Sequence, residues 1–199
     1  TRAERLTQAL EERQADVFIS AIRFNQLYFL PHPEPSSVLS RANCCAVVFG
    51  LEEPVVFPGV WISNACRDLL TDCTVIENMP GDPPAEEQLL AYLRKVGFNR
   101  VIIDQPELVG ALRGQIEGCE VEYKDLGTEI RRRKDARDLE HMREAARIAD
   151  LGMTAAFAAI RPGLSCLDVI AEGEYAMLKA GAEDATMAPV VGEGTFYLD

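Results

Sequence analysis

The stretch RRRKDARDLEHMREAARIAD, residues 131–150, marks the point at which the sequence pattern changes. It opens with four cations and holds seven Lys and Arg against five Asp and Glu, a net charge of +2. That excess is weak for a nucleic-acid footprint and is typical of a solvated, salt-bridged helix surface. The stretch therefore predicts the exposed start of a long helix, from Asp135 to Ile160, that begins a second structural unit.

Helix and strand patterns alternate before this junction, which predicts an α/β fold with a mixed or parallel sheet and helices on its faces. The predicted strands are DVFIS (16–20), CCAVVFG (44–50), PVVFPGV (54–60), TVIENM (74–79), RVIIDQ (100–105) and EVEYKDL (120–126). The predicted helices are RAERLTQALEERQ (2–14), WISNACRDLL (61–70), EEQLLAYLRKVG (86–97) and PELVGALRGQIEG (106–118). Asp82, followed by two prolines, is the expected cap of the third helix. The predicted core consists of Val17, Ile19, Val47, Val48, Val55, Val101 and Ile103.

Beyond the junction the pattern predicts two helices and one strand. A narrow apolar stripe follows the first helix at three- or four-residue steps, through Leu139, Met142, Ala146 and Ala149. A turn at RPGLS (161–165) precedes a second helix that runs to Gly181, and TMAPVVGEG (186–194) begins a strand. Two helices and a strand cannot bury much core by themselves. We therefore expect a partner, or a further part of a longer chain, to complete this unit.

Composition narrows the function classes. The net charge of −12 argues against nucleic-acid or anionic-membrane binding, because phosphate contacts need a basic face. No apolar run approaches the roughly 20 residues of a membrane span, and the polar first helix lacks a signal-peptide core. The six cysteines form no C-x-x-C pair, which favours buried thiols over a zinc site or a disulfide framework. A soluble, cytoplasmic protein is expected. No glycine-rich phosphate loop follows any strand, which counts against a nucleotide-binding domain.

An ordered set of segments resembles the creatinase/prolidase family of pita-bread metallohydrolases, which includes Xaa-Pro aminopeptidases and dipeptidases. RAERL, ADVFIS and NQLYFL are similar to the family's opening helix, first strand and Asn-x-x-Tyr-Leu segment, here with Asn25 and Tyr28. EIRRRKDARDLEHMREAARIAD resembles the family's junction between domains. IRPGLSCLDV and APVVGEG resemble the first turn and first strand of the catalytic domain. The resemblance implies a creatinase/prolidase N-terminal α/β domain over residues 1–133 and the incomplete start of a pita-bread domain over residues 134–199.

The resemblance also implies an activity, a cofactor and a partner. The complete enzyme would be a metal-dependent hydrolase, and an Xaa-Pro peptidase above all, with two divalent ions (Mn, Co or Zn) that activate a shared water. In the family two Asp, one His and two Glu hold the metals, and all five lie past the strand that begins near Pro189, so no catalytic or metal-binding residue is assigned here. The N-terminal domain would mediate homodimerisation and lend loop residues to the peptide or small-amide site.

Two residues in the loop 31–41 are the candidates for contact with substrate. Arg41 matches a family position that touches the substrate carboxylate, and a guanidinium suits that role because its fork donates two parallel hydrogen bonds. His32, between two prolines, could reach the same place. A solvated loop position remains the competing interpretation for both. Trp61 opens a predicted helix and is interpreted as core or as an interface anchor. Two alternatives for the whole protein stay open: a non-catalytic dimerisation or partner-binding module of the same fold, and a creatinase-like amidinohydrolase.

Overall fold

A mixed β-sheet forms the centre of the first unit, Thr1–Arg133, in the computed structural model, which describes residues 1–30, 44–59, 70 and 72–183. The described strands are β1 (Val17–Ser20), β2 (Cys44–Phe49), β3 (Val55–Pro58), β4 (Thr74–Val75), β5 (Arg100–Ile103) and β6 (Glu120–Tyr123). They lie in the order β4-β3-β2-β1-β5-β6. The predicted α/β class with a mixed sheet is confirmed.

Strand β1 lies in the middle of this sheet and separates its two kinds of pairing. On one side it pairs antiparallel with β2, which pairs antiparallel with β3, and the short β4 adds parallel to β3. On the other side β1 pairs parallel with β5, and β5 pairs parallel with β6. The carboxyl ends of β1, β5 and β6 therefore meet at one edge of the sheet.

Helices cover both faces of the sheet. The described helices of the first unit are α1 (Arg2–Glu11), α2 (Arg23–Phe29), α3 (Ala85–Val96), α4 (Pro106–Leu112) and α5 (Leu126–Arg131). Side chains of α3 and α4 pack with Val17 and Ile19 on one face, and side chains of α1, α2 and α5 pack with Phe18 on the other. This arrangement follows from the alternation of side chains along β1, which is buried on both faces.

The predicted core is confirmed at every position. Val17, Ile19, Val47, Val48, Val55, Val101 and Ile103 are all buried. Removing a large apolar side chain from water stabilises a fold by about 1.5–3 kcal/mol. Burial of their apolar side chains therefore explains why these short runs form the strands of the sheet.

Two predicted helix ends are wrong. Asp82 does not cap α3, because its carboxylate accepts the N–H of Met79 at 2.7 Å and closes a turn instead. The helix begins only after Pro84, which takes an extended conformation at the cap position. Helix α4 ends at Leu112 rather than near Gly118, since Arg113 adopts extended backbone angles. The predicted end of α3 at Gly97, in a left-handed conformation, is confirmed.

The second unit, Lys134–Asp199, is described as far as residue 183 and contains α6 (Ala136–Ala159) and α7 (Cys166–Lys179). Asp135 and Asp138 form a capping box at the start of α6, and Ser165 and Asp168 form one at the start of α7. Each box satisfies backbone N–H groups that a helix start leaves without partners. The predicted strand at residues 186–194 and the predicted helix at residues 61–70 lie outside the described residues.

Helices α6 and α7 pack through a different face of α6 from the predicted stripe. Ile148, Gly152 and Ala156 are buried, whereas all four members of the stripe are exposed. Gly152 lies so close to α7 that an added methyl group would meet the carbonyl oxygen of Gly173 at 3.1 Å and overlap Met177. The absence of a side chain at Gly152 permits this close crossing. Within the described residues no helix is long and apolar enough to cross a membrane.

Candidate functional site

The residues predicted to contact substrate cannot be placed by the structure. Arg41 and His32, with the rest of residues 31–43, lie outside the described residues, and so does Trp61. The described elements on either side are α2, which ends at Phe29, and β2, which begins at Cys44. The chemistry that the structure does describe therefore lies elsewhere in the first unit.

A buried polar cluster lies where β1 and β5 end. Asp104, directly after β5, is 1% exposed and accepts three hydrogen bonds. Ser20 Oγ donates to its Oδ2 at 2.5 Å, Asn25 Nδ2 donates to the same oxygen at 2.9 Å, and the backbone N–H of Ala21 donates to Oδ1 at 2.8 Å. The cluster therefore joins the ends of two neighbouring parallel strands to α2.

Asn25 extends the cluster to α5. Its Nδ2 also donates to Asp125 Oδ1 at 2.9 Å, and its Oδ1 accepts from Arg131 Nη1 at 3.0 Å. Asp125 caps the start of α5 by accepting the N–H of Thr128 at 2.9 Å. Gly127 lies against the Asn25 carboxamide, and an added methyl group there would overlap it. Asn25 is fully buried with both amide hydrogens and its oxygen in use.

The electrostatics of the cluster follow from burial. Burial raises the pKa of the Asp104 carboxyl above its ordinary value, and the negative charge of Asp125 raises it further. The hydrogen bonds from Asn25, Ser20 and Ala21 oppose this rise because they stabilise the charged form. The three groups that donate hydrogen bonds to the Asp104 carboxyl group are therefore all neutral.

The carboxyl edge of parallel strands is where open α/β sheets commonly bind ligands. Here the chain itself supplies the ligands of this carboxyl group, because Ser20, Asn25 and Ala21 donate three hydrogen bonds to Asp104. We interpret the cluster as a support for the fold rather than a ligand site. Ser20 and Asp104 were not predicted from the sequence. The signal that could have indicated the cluster is an aspartate directly after the buried run RVII.

The described residues do not assemble a metal site. Among them no group of three or more His, Cys, Asp and Glu side chains could hold a metal ion. Cys119 and Cys166 are free thiols in this part of the chain. Burial raises the pKa of the Cys119 thiol, which makes it a weaker nucleophile at neutral pH.

The charged start of α6 is exposed and carries an ion pair. Arg147 Nη2 lies 2.6 Å from Glu144 Oε1, and both side chains are about half exposed. Together with Glu140, His141 and Arg143 they line an open depression of about 560 Å³. Paired surface charges of this kind contribute little to stability. They agree with the interpretation of this stretch as a solvated helix surface.

Comparisons with known proteins agree with the family resemblance. Residues 140–195 match the family model of metallopeptidase family M24. No curated protein matches the chain. The fold is similar to that of an Xaa-Pro dipeptidase from Bacillus anthracis (17% identity, TM-score 0.66) and an X-Pro aminopeptidase from Thermotoga maritima MSB8 (17% identity, TM-score 0.70). The matches cover 92% and 91% of this chain and 49% and 50% of those chains. The chain therefore spans about half the length of these relatives.

A shorter structure matches about two thirds of the chain. The N-terminal domain of the cytoplasmic peptidase PepQ from Mycobacterium tuberculosis H37Rv is 15% identical with a TM-score of 0.50, and the match covers 64% of this chain and 95% of that one. At such identities the structural likeness shows the fold alone. With the M24 match, it confirms the creatinase/prolidase resemblance that the sequence predicted.

Proposed function

We propose that this chain is the N-terminal part of a metal-dependent Xaa-Pro peptidase, an aminopeptidase or a dipeptidase. The observation that carries the proposal is the M24 match at residues 140–195, in a chain whose fold is similar to about half the length of two Xaa-Pro peptidases. The M24 match supports a hydrolase of this family. The Xaa-Pro substrate is supported by the names of the structural relatives.

The two proposed domains coincide with the two compact units of the structure. Residues 1–133 form the N-terminal α/β domain and residues 134–199 begin the pita-bread domain. The division into compact units at Arg133 and Lys134 supports this boundary, as does the match to the isolated PepQ domain. That relative is called a cytoplasmic peptidase, and we propose the same location here.

The proposed pair of divalent ions (Mn, Co or Zn) does not fit the described residues, which offer no cluster of metal-binding side chains. Following the family resemblance, the proposal places the metal ligands past Asp199. It is tested by reading the gene downstream of that codon, where two Asp, one His and two Glu are expected. A downstream sequence that lacks these five residues would favour a non-catalytic binding module or a metal-free, creatinase-like amidinohydrolase instead.

The loop 31–41 is the proposed contribution of the N-terminal domain to the substrate site. Arg41 would bind the substrate carboxylate through paired N–H groups, and His32 would lie near the substrate. A lysine at position 41 would keep the charge and lose the paired geometry. In the complete enzyme, Arg41→Lys is therefore proposed to raise KM more than it lowers kcat.

We also propose that the protein is a homodimer and that α6 and α7 are covered in the complete molecule. Large apolar side chains lie exposed on these helices, with Phe157 at 65% and Leu167 at 70%. Soluble proteins rarely leave a large apolar patch uncovered.

The 199-residue chain is expected to self-associate at micromolar concentration, as measured by sedimentation or light scattering. If the chain is a 22 kDa monomer and the natural gene product also ends near Asp199, then neither a second copy nor a longer chain covers these helices, and the proposal is contradicted.

A further inference from the structure

The Asn-x-x-Tyr segment of α2 has contacts that the proposed peptidase function does not explain. Asn25 and Tyr28 lie three residues apart, so that they share one face of the helix. Both are connected to the same distant part of the chain, residues 125–133. This is the last segment of the first unit, and Lys134 begins the second.

Asn25 is bound to both ends of α5. Its Nδ2 donates to Asp125, the N-terminal cap of the helix, at 2.9 Å. Its Oδ1 accepts from Arg131, the last helical residue, at 3.0 Å. Because α5 spans only six residues, it has little stability of its own. A single buried carboxamide therefore holds a short helix at its two ends.

Tyr28 reaches the same segment through Arg5. Arg5 Nη1 donates to the Tyr28 hydroxyl at 3.2 Å. Arg5 Nη2 donates to the carbonyl oxygen of Arg133 at 3.0 Å and to that of Ile130. The last carbonyls of a helix carry partial negative charge and have incomplete intrahelical bonding, so a guanidinium is well suited to this position.

We propose that Arg5, Asn25 and Tyr28 form a clasp that fastens residues 125–133, the last segment of the first unit, to α1 and α2. The side chains that close the clasp come from α1 and α2, about a hundred residues earlier in the sequence. The segment also buries Leu126 in the core of the first unit, and it ends in an exposed basic run, Arg132 to Lys134. The clasp does not depend on the proposed peptidase activity.

The test is hydrogen exchange of backbone amides, followed by mass spectrometry of peptides, in the 199-residue chain. Arg5→Ala removes the bonds to Ile130 and Arg133, and Tyr28→Phe removes only the hydroxyl that Arg5 holds. Arg94→Ala is the matched control, because Arg94 also bonds a backbone carbonyl, that of Gln115, within the first unit. Asn25→Ala is less informative because it also removes one of the three hydrogen bonds that Asp104 accepts.

Exchange in residues 125–133 is expected to accelerate about tenfold in Arg5→Ala, because this variant loses hydrogen bonds from a charged group. In Tyr28→Phe it is expected to accelerate about threefold, because only one weak hydrogen bond is lost. Peptides from β1 and β5 should change by less than about twofold in both, and Arg94→Ala should leave residues 125–133 unchanged. The clasp is overturned if Arg5→Ala exchanges like Arg94→Ala in this segment. Equal acceleration throughout the first unit would also overturn it, since Arg5 would then act on global stability.

Discussion

Replacing Gly127 by alanine is expected to lower the free energy of unfolding of the first unit by about 3 kcal/mol, at the upper end of the cost of overpacking. The added methyl group would overlap Cγ, Nδ2 and Oδ1 of the Asn25 carboxamide. Asn25 cannot move aside without loss, because it is fully buried and bonded to Asp104, Asp125 and Arg131. The variant must therefore shift α5 or break this set of hydrogen bonds.

Gly110→Ala is the matched control for this prediction. Gly110 lies in α4, and an added methyl group would meet no heavy atom within 4 Å. Alanine is the better helix former, so this variant is expected to be as stable as the parent or up to about 1 kcal/mol more stable. Urea unfolding of the three proteins provides the measurement. If Gly127→Ala unfolds within about 0.5 kcal/mol of the parent, the close packing of α5 on Asn25 is wrong.

Asp104→Ala is expected to cost about 3 kcal/mol at acid pH, because it leaves buried donors without an acceptor. The hydroxyl of Ser20, the N–H of Ala21 and one amide hydrogen of Asn25 all point at this carboxyl group. Asp82→Ala is the control, since it removes one exposed turn bond to Met79 and is expected to cost less than about 1 kcal/mol.

The cost of Asp104→Ala should depend on pH in a definite direction. The folded chain raises the pKa of Asp104, so the folded protein holds this proton more tightly than the unfolded one. The contribution of Asp104 to stability is therefore full below its unfolded pKa of about 3.9 and declines as pH rises through the higher folded pKa. The difference in unfolding free energy between parent and variant should shrink between pH 4 and pH 7. A difference that grows over this range would mean that the hydrogen bonds outweigh burial.

The sheet could be predicted from the sequence because its strands are short apolar runs bounded by turn residues. Val17, Ile19, Val101 and Ile103 needed no knowledge of distant partners to be assigned to a core. The start of α3 could not be predicted in the same way. Asp82 is suited both to a turn and to a helix cap, and in the structure it closes the turn while Pro84 takes the cap position.

The polar cluster could not be predicted because its partners are far apart in the sequence. Asp104 and Asn25 are separated by 79 positions, and Arg131 and Asn25 by 106. Local patterns carry no information on which polar residue will meet which. The contact face of α6 is a similar case, since periodicity identified an apolar stripe but not that Gly152 would permit the close approach of α7.

The proposed role of this chain as the front part of a metal-dependent Xaa-Pro peptidase is tested most directly by proline release from an Xaa-Pro dipeptide. The 199-residue chain and the full translation product of its gene are assayed side by side, with Mn²⁺ or Co²⁺ and again after chelation. We expect metal-dependent release of proline by the full product and none by the 199-residue chain, because the family resemblance places all five metal ligands past Asp199. Robust metal-dependent turnover by the 199-residue chain, or none by the full product, would contradict it.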